Sequence, residues 1–434
     1  MAKLPLEGIR VIAVTVVWAG PFCTSLLADW GAEVIRVESL HHFTFLTRGF
    51  PMIRPTKEMI AARPHWTTCY PNWNPTNKPW NCYAVFNAHA RNKKSCTMDL
   101  RKPEGVELFK RLIARSDVFV ENNPPDTIEK LGIGYEVLRE VNPKLIMISM
   151  PGYGSTGPYR NYRALGANLD ESGGHTWLRR YRDTDPSSAS MILFSDATSG
   201  AHAAFAVLSA LRYRRRTGKG QFIDLGQTET LMPYLAEATL DYTMNGRVAD
   251  TLGNRHPAMA PHGCFKCRGE DRWVTIAVAT DAQWQALCRV MGMPELAADP
   301  RFADTLSRHK HQDELEPIIE AWTSEHDNFA LMLTLQKEGI TAGAVLDDRD
   351  AYNDPHLKER GFFQQVTHPD AGTHLYPGLL WKASRTPNAI RTPPVCLGEH
   401  NEYVYKELLG VSDAEYAELE KSGHIGNEPA PDAF

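Results

Sequence analysis

Two aspartates in this 434-residue chain are flanked by glycines and small residues rather than by other charges: Asp170 in ALGANLDESGG and Asp196 in ILFSDATSGAHAAF. A carboxylate in such a loop can attack an acyl carbon if it stays ionised near neutral pH. Asp196 follows the strand-like run MILF and precedes an Ala-rich helical pattern. That spacing puts it at a helix N-cap or in a first turn, where the helix terminus stabilises negative charge. Capping alone is enough to explain an aspartate there. Spacing therefore leaves a structural and a nucleophilic role both open.

Other chemistry is poorly supplied. Cys264 and Cys267 form a C-x-x-C with His262 just upstream. A structural zinc site needs a second ligand pair and a redox pair opens a helix, but this one runs on toward the strand WVTIAV. No metal site is expected. The first strand ends in VTVVWAGPFCTS, which lacks the G-x-G-x-x-G turn of a dinucleotide site, so a nicotinamide enzyme is disfavoured. The signatures of P-loop, zincin and serine-hydrolase chemistry are also missing. PGYGSTGP (151–158) is glycine-rich at a strand end, which is a weak ligand signal on its own.

The elements that must carry these residues alternate. GIRVIAVT (8–15), AEVIRVE (32–38), SCTMDL (95–100), DVFVEN (117–122) and KLIMISM (144–150) read as strands, with helical patterns between them. This alternation predicts βαβ units and a parallel sheet whose ligands sit at the strand C-terminal ends. FIDLGQTETLMPYLAEATLDYT reads as helical after the turn TGKGQ, and WVTIAV with its neighbours as a smaller αβ module. Residues 41–88 break the rhythm with Pro51, Pro55, Pro64, Pro71, Pro75 and Pro79 interleaved with Trp66, Trp73 and Trp80. Aromatic density argues against disorder there. Packing on its own domain or on a partner is the main expectation for this excursion, and a wall over an apolar substrate the second.

Composition narrows the class further. With 47 Lys+Arg against 52 Asp+Glu the net charge is -5, which argues against a nucleic-acid partner. The chain is 43% hydrophobic, as globular domains are, and its length suggests two or three of them. No apolar run approaches the roughly 18 residues that span a bilayer, and no signal peptide is read at the N-terminus. The 8 cysteines are scattered through apolar contexts, like buried thiols of a reducing compartment. A cytoplasmic location without a membrane partner is the expectation.

Taken in order, LEGIRVIAVTVVWAGPFCTSLLADWGAEVIRVES, RNKKSCTMDLRKPEG, DVFVENNPP, SMPGYGSTGPY, SDATSG with its Ala-rich helix, RRTGKGQFIDLGQTE and LGEHN resemble the family III CoA-transferases. The resemblance runs from Leu6 to about Gly410. It implies an aspartyl nucleophile at Asp196, forming a mixed anhydride and then an aspartyl-CoA thioester, with Asp170 as an assisting acid. It implies CoA contacts at Val17, Trp18, Ala19, Ser39, Met98, Arg101, Asn122, Asn123 and Lys130. The coenzyme A thioester is then a substrate, and no permanently bound cofactor is expected. The partners implied are an acyl-CoA donor, a carboxylate acceptor and a second copy of the chain, with a hetero-oligomer as the alternative.

The implied fold is α/β: a Rossmann-like large domain built from both termini and a smaller α+β domain, in an interlocked ring-like dimer. The domains would take 1–225 and 331–434 for the large one and 226–330 for the small one. Three departures bear on substrate. Trp18 stands where formyl-CoA transferase carries a glutamine, and Ser39 where relatives carry an arginine at the adenine, leaving Arg36 or His41 as substitutes. GNRHPAMAPHGCF replaces a run of glycines. An acceptor bulkier or more apolar than oxalate is expected. The same resemblance admits a 2-methylacyl-CoA racemase working through Asp170 with Glu136, because no histidine lies between His89 and His175. A non-catalytic CoA-binding subunit is a third reading.

Overall fold

Short runs of aliphatic and β-branched residues pair side by side in a parallel sheet, buried on both faces at its centre, with the more polar KKSCT and QFID at its edges. The strands are β1 (Arg10–Val14), β2 (Glu33–Glu38), β3 (Lys93–Thr97), β4 (Val118–Glu121), β5 (Ile146–Ser149) and β6 (Gln221–Asp224). Their order is β3-β2-β1-β4-β5-β6, and every pairing is parallel. This is the doubly wound order, whose direction reverses between β1 and β4. The computed structural model describes residues 3–42, 46–49, 56–63, 65–431 and 433.

Pleating sends alternate side chains into two cores. Ile12, Ile35, Phe119 and Met147 face α3 (Pro103–Ile113) and the C-terminal residues Val404 and Tyr405. Val11, Val34, Val118, Val120 and Ile148 face α1 (Ala19–Asp29) and α7 (Phe194–Thr217). The Ala-rich face of α7 lets it lie close on α1. A Cβ on Gly200 would meet Phe22 Cδ1 at 2.7 Å and the Ala19 carbonyl at 2.9 Å, so only glycine permits that approach. Gly218, in left-handed conformation with φ 76, ends α7, and Arg214, Arg215 and Arg216 complement its C-terminal dipole.

Two readings are corrected. FIDLG does not continue a helix: Gln221–Asp224 is edge strand β6, in register with Ile146–Ser149. MILF is not a strand either. It is irregular up to Leu193, which precedes α7 with φ 52.

The chain forms two compact units. The first comprises Met1–His175, Met191–Glu237 and Glu359–Phe434; the second comprises Thr176–Ser190 and Ala238–Lys358. The second is built on an antiparallel sheet of β7 (His262–Lys266), β8 (Trp273–Ala277) and β9 (Thr341–Ala344) around Trp284, Phe302 and Leu315. Cys264 lies in β7 and all eight cysteines are free. Among the described residues no group of three or more His, Cys, Asp or Glu could hold a metal. No helix among them is long and apolar enough to cross a membrane.

The described part of 41–88 packs on its own unit. Trp80 is fully buried with Leu40 and Leu397, and Tyr70, Tyr83 and Phe86 pack with Ala371 and Val395 from the returning chain. Arg48 binds Glu38 through Nε and Nη2, at 2.7 and 2.8 Å, and donates from Nη1 to the Trp80 carbonyl. Against the upward push of burial, Arg48 and Arg36 hold the Glu38 carboxyl down to about 2. Trp73 is exposed. Pro51, Pro55 and Pro64, and the side chain of Trp66, lie outside the described residues.

Candidate active site

Helices α1 and α7 both start without a side-chain cap of their own. The first N–H groups of a helix have no internal partner and need acceptors from elsewhere. Two carboxylates supply them in succession. Asp170, on α6 (Gly166–Ser172), accepts from the N–H groups of Phe194 at 2.9 Å and Ser195 at 2.8 Å, which open α7. Asp196, in the first turn of α7, accepts at Oδ1 from the Ala19 N–H that opens α1, at 3.2 Å. Both aspartates are therefore helix residues, and each caps another helix: Asp170 that of Phe194, Asp196 that of Ala19.

This arrangement leaves the two acids unlike. Both oxygens of Asp170 are taken by backbone donors. Asp170 thus acts on the site by holding the start of α7. Asp196 Oδ2 has no hydrogen-bond partner among the described residues and lies against the Cα of Gly166. Burial, with a smaller push from Asp170, raises the Asp196 carboxyl to about 6 although the Ala19 N–H opposes it. At pH 7 the group is mostly ionised, yet poorly solvated and with one oxygen unengaged. That is the state a carboxylate nucleophile needs.

Asp170→Ala would leave the Phe194 and Ser195 N–H groups without acceptors. It should cost about 1–3 kcal/mol in urea unfolding and lower the turnover number at least about tenfold through misplacement of Asp196. Unchanged values in both measurements would contradict the positioning role.

The residues expected around CoA fall into two groups. Ser39, Met98, Arg101 and Asn123 line one cavity of about 460 Å³, together with Thr15, Arg36, Arg48 and Thr127. It opens at the C-terminal ends of β1 to β4, where the strand order reverses. Val17, Trp18, Ala19 and Asn122 form the adjoining turn. Asn122 accepts from the Val16 N–H at 2.8 Å and donates to the Val16 carbonyl at 2.9 Å, while Thr47 Oγ1 accepts from the Val17 N–H. The ties hold Val17 in left-handed conformation, φ 55, which a β-branched residue rarely adopts. Lys130 is exposed on α4 (Thr127–Lys130) and is not among the residues lining the cavity. Of the two substitutes for the missing arginine, Arg36 lines the cavity and is buried, donating to Thr15 and Glu38; His41 does not line it.

Sequence reading missed two residues here. Glu121, read only as part of a strand, is a buried carboxyl that burial pushes up to about 7; it accepts from Ser149 Oγ and from the Asn123 N–H, and so orients Asn123. His89, at the end of α2 (Ala84–His89), packs tilted against Trp18 and edge-on against Phe22. No local signal marks either. Glu136, the other acid of the racemase reading, is 74% exposed and paired with Arg139.

A doubly wound sheet has its cavity at the switch point, and near it lies a half-capped carboxylate at two helix N-termini. The family model described as CoA-transferase family III matches residues 6–401, and the chain belongs to that family. It is 34% identical over 416 residues to a succinyl-CoA–D-citramalate CoA-transferase of Chloroflexus aurantiacus, covering 96% of this chain and 97% of that protein. It is 32% identical over 410 residues to a succinate–glutarate CoA-transferase of Agrobacterium fabrum, covering 94% and 96%. A solved CAIB/BAIF family protein from Brucella suis superposes with TM-score 0.78 at 30% identity, covering 94% of this chain and all of that one. The protein is a CoA-transferase, and CoA thioesters are its substrates.

Proposed function

We propose that the protein moves CoA from a succinyl-CoA-like donor to a second carboxylic acid bulkier or more apolar than oxalate, through covalent intermediates on Asp196. The supporting observation is the divided carboxylate: Oδ1 bonded to the Ala19 N–H and Oδ2 without a partner. Oδ2 attacks the thioester carbonyl, the C–S bond breaks, and CoA thiolate leaves a mixed anhydride. The thiolate then attacks Asp196 Cγ, the donor acid departs as carboxylate, and an aspartyl-CoA thioester remains. Negative charge in that step develops on Oδ1, where the Ala19 N–H already sits. The acceptor carboxylate attacks Cγ in turn and expels CoA thiolate. The thiolate closes the cycle at the acceptor's acyl carbon and frees Asp196. No step requires an acid or base, although each oxygen of Asp170 accepts from one backbone N–H and His175 Nδ1 stands 3.9 Å from its Oδ2.

The exposed, ion-paired Glu136 counts against proton exchange at an α-carbon. Incubating a racemic 2-methylacyl-CoA in D2O without acceptor should return it with no deuterium at the α-carbon. Wash-in of deuterium at turnover rates would favour the racemase reading.

The proposal includes a cytoplasmic homodimer with interlocked rings, and a large CoA domain interrupted by a small one. Exposed apolar side chains support the dimer: Phe205, Leu208 and Tyr213 on α7, and Leu240, Tyr242 and Met244 on the helix Ala236–Asn245. Sedimentation equilibrium should give about twice the 48.7 kDa of one chain, and a monomer mass at micromolar concentration would contradict it.

A further inference from the structure

Three rings gather at the start of α1. The indole of Trp18 and the imidazole of His89 have centroids 5.6 Å apart, and Phe22 lies 5.9 Å from His89. Trp18 immediately precedes Ala19, whose N–H meets Asp196, so this cage adjoins the nucleophile. Two of its three ring nitrogens are uncommitted. His89 Nδ1 lies 3.1 Å from the Val85 carbonyl, which can only accept, so Nδ1 carries the proton and Nε2 presents a lone pair. Nε2 has no hydrogen-bond partner among the described residues. Burial, and then the neighbouring Lys93, Arg91 and Arg36, push the His89 imidazolium down to about 3 although the Val85 carbonyl opposes this, so the ring stays a neutral acceptor. The Trp18 indole N–H is buried and also has no partner among the described residues.

Neighbouring rings thus carry one unused donor and one unused acceptor beside the apolar ring of Phe22. A carboxylate or carbonyl oxygen could answer the indole but has no proton for the imidazole. An ammonium could answer the imidazole but has no lone pair for the indole. A hydroxyl does both. The indole N–H is closed to solvent in the free chain, so meeting a ligand would require its edge to turn.

We infer that the Trp18–Phe22–His89 cage recognises the hydroxyl of a hydroxy acid, the hydroxyl accepting from Trp18 Nε1 and donating to His89 Nε2. This rests on the transferase reading and names the class of acid it acts on. An analogue without the hydroxyl would leave both ring nitrogens unpaired, which is how sites built for a hydroxyl discriminate.

The test compares acceptors that differ by one hydroxyl, 2-hydroxyglutarate against glutarate and 3-hydroxybutyrate against butyrate, with succinyl-CoA as donor. Wild type should favour the hydroxy acid in kcat/KM by about tenfold or more. His89→Phe and Trp18→Phe, which keep rings but remove the acceptor or the donor, should each cut that ratio about tenfold. His89→Gln, which keeps an acceptor, should retain part of it. A wild type indifferent to the hydroxyl, or ratios unchanged in both phenylalanine variants, would overturn the inference and leave the transferase standing. Turnover of none of these acids by wild type, with CoA transfer to another carboxylic acid intact, would overturn the inference alone.

Discussion

Asp196→Asn should lower CoA transfer by at least about a thousandfold, the scale on which enzymes lose activity with their nucleophile. The asparagine side chain keeps an oxygen to accept from the Ala19 N–H, so the start of α1 stays capped. Stability should not fall. A carboxyl raised to about 6 by burial is one that the folded state prefers protonated, so its ionised form at pH 7 opposes folding. Asparagine removes that opposition. Loss of activity with equal or greater resistance to urea marks a group kept for chemistry rather than for the fold. The same raised carboxyl fixes the pH profile of the wild type. The proton must leave Oδ2 before attack, so kcat/KM should rise about tenfold per pH unit below 6 and level off above 7. A profile flat from pH 5 to 8 would place the nucleophile elsewhere.

Gly166→Ala is expected to act almost as severely without touching a polar atom. A Cβ at this position would stand 1.8 Å from Asp196 Oδ2 and 3.0 Å from Leu193 Cδ2, so the carboxylate must leave its place. Gly166 opens α6 without a left-handed backbone angle, so alanine is otherwise acceptable and even favours the helix. Displacement of a reacting atom by about 1 Å costs on the order of a hundredfold in rate. Steady-state transfer assays on the variant, with circular dichroism to show an intact fold, would measure this. Activity within threefold of wild type would contradict the assignment of Oδ2 as the attacking atom.

Much of this was legible in the chain, for identifiable reasons. Parallel strands buried on both faces announce themselves as apolar runs, and β1, β2, β4 and β5 fall within the segments read as strands, whereas β3 starts two residues before SCTMDL and ends at Thr97. Asp196 could be placed at a helix start because SDATSG leads directly into an Ala-rich helical pattern. Ser39, Met98 and Asn123 share a cavity because each follows a strand of one parallel sheet.

What remained hidden depends on distant partners. Nothing in LGANLDESGG tells that Asp170 caps a helix 24 residues away, because that bond exists only once α6 and α7 pack. β6 is four residues with alternating exposure and becomes a strand only by pairing with β5. The Trp/Pro-rich excursion gave no hint that Trp80 would bury against Leu397. Lys130 had the charge to meet a phosphate, but its helix leaves it outside the lining of the cavity.

The covalent step on Asp196 is tested most directly by trapping. The protein is incubated with succinyl-CoA in the absence of acceptor, quenched with hydroxylamine, digested, and its peptides are read by mass spectrometry. The mechanism predicts an aspartyl hydroxamate at Asp196 and at no other carboxylate, formed only when the thioester is present and missing from Asp196→Asn. An unmodified Asp196 peptide from protein that is turning over, or a hydroxamate on a different acid, would contradict it.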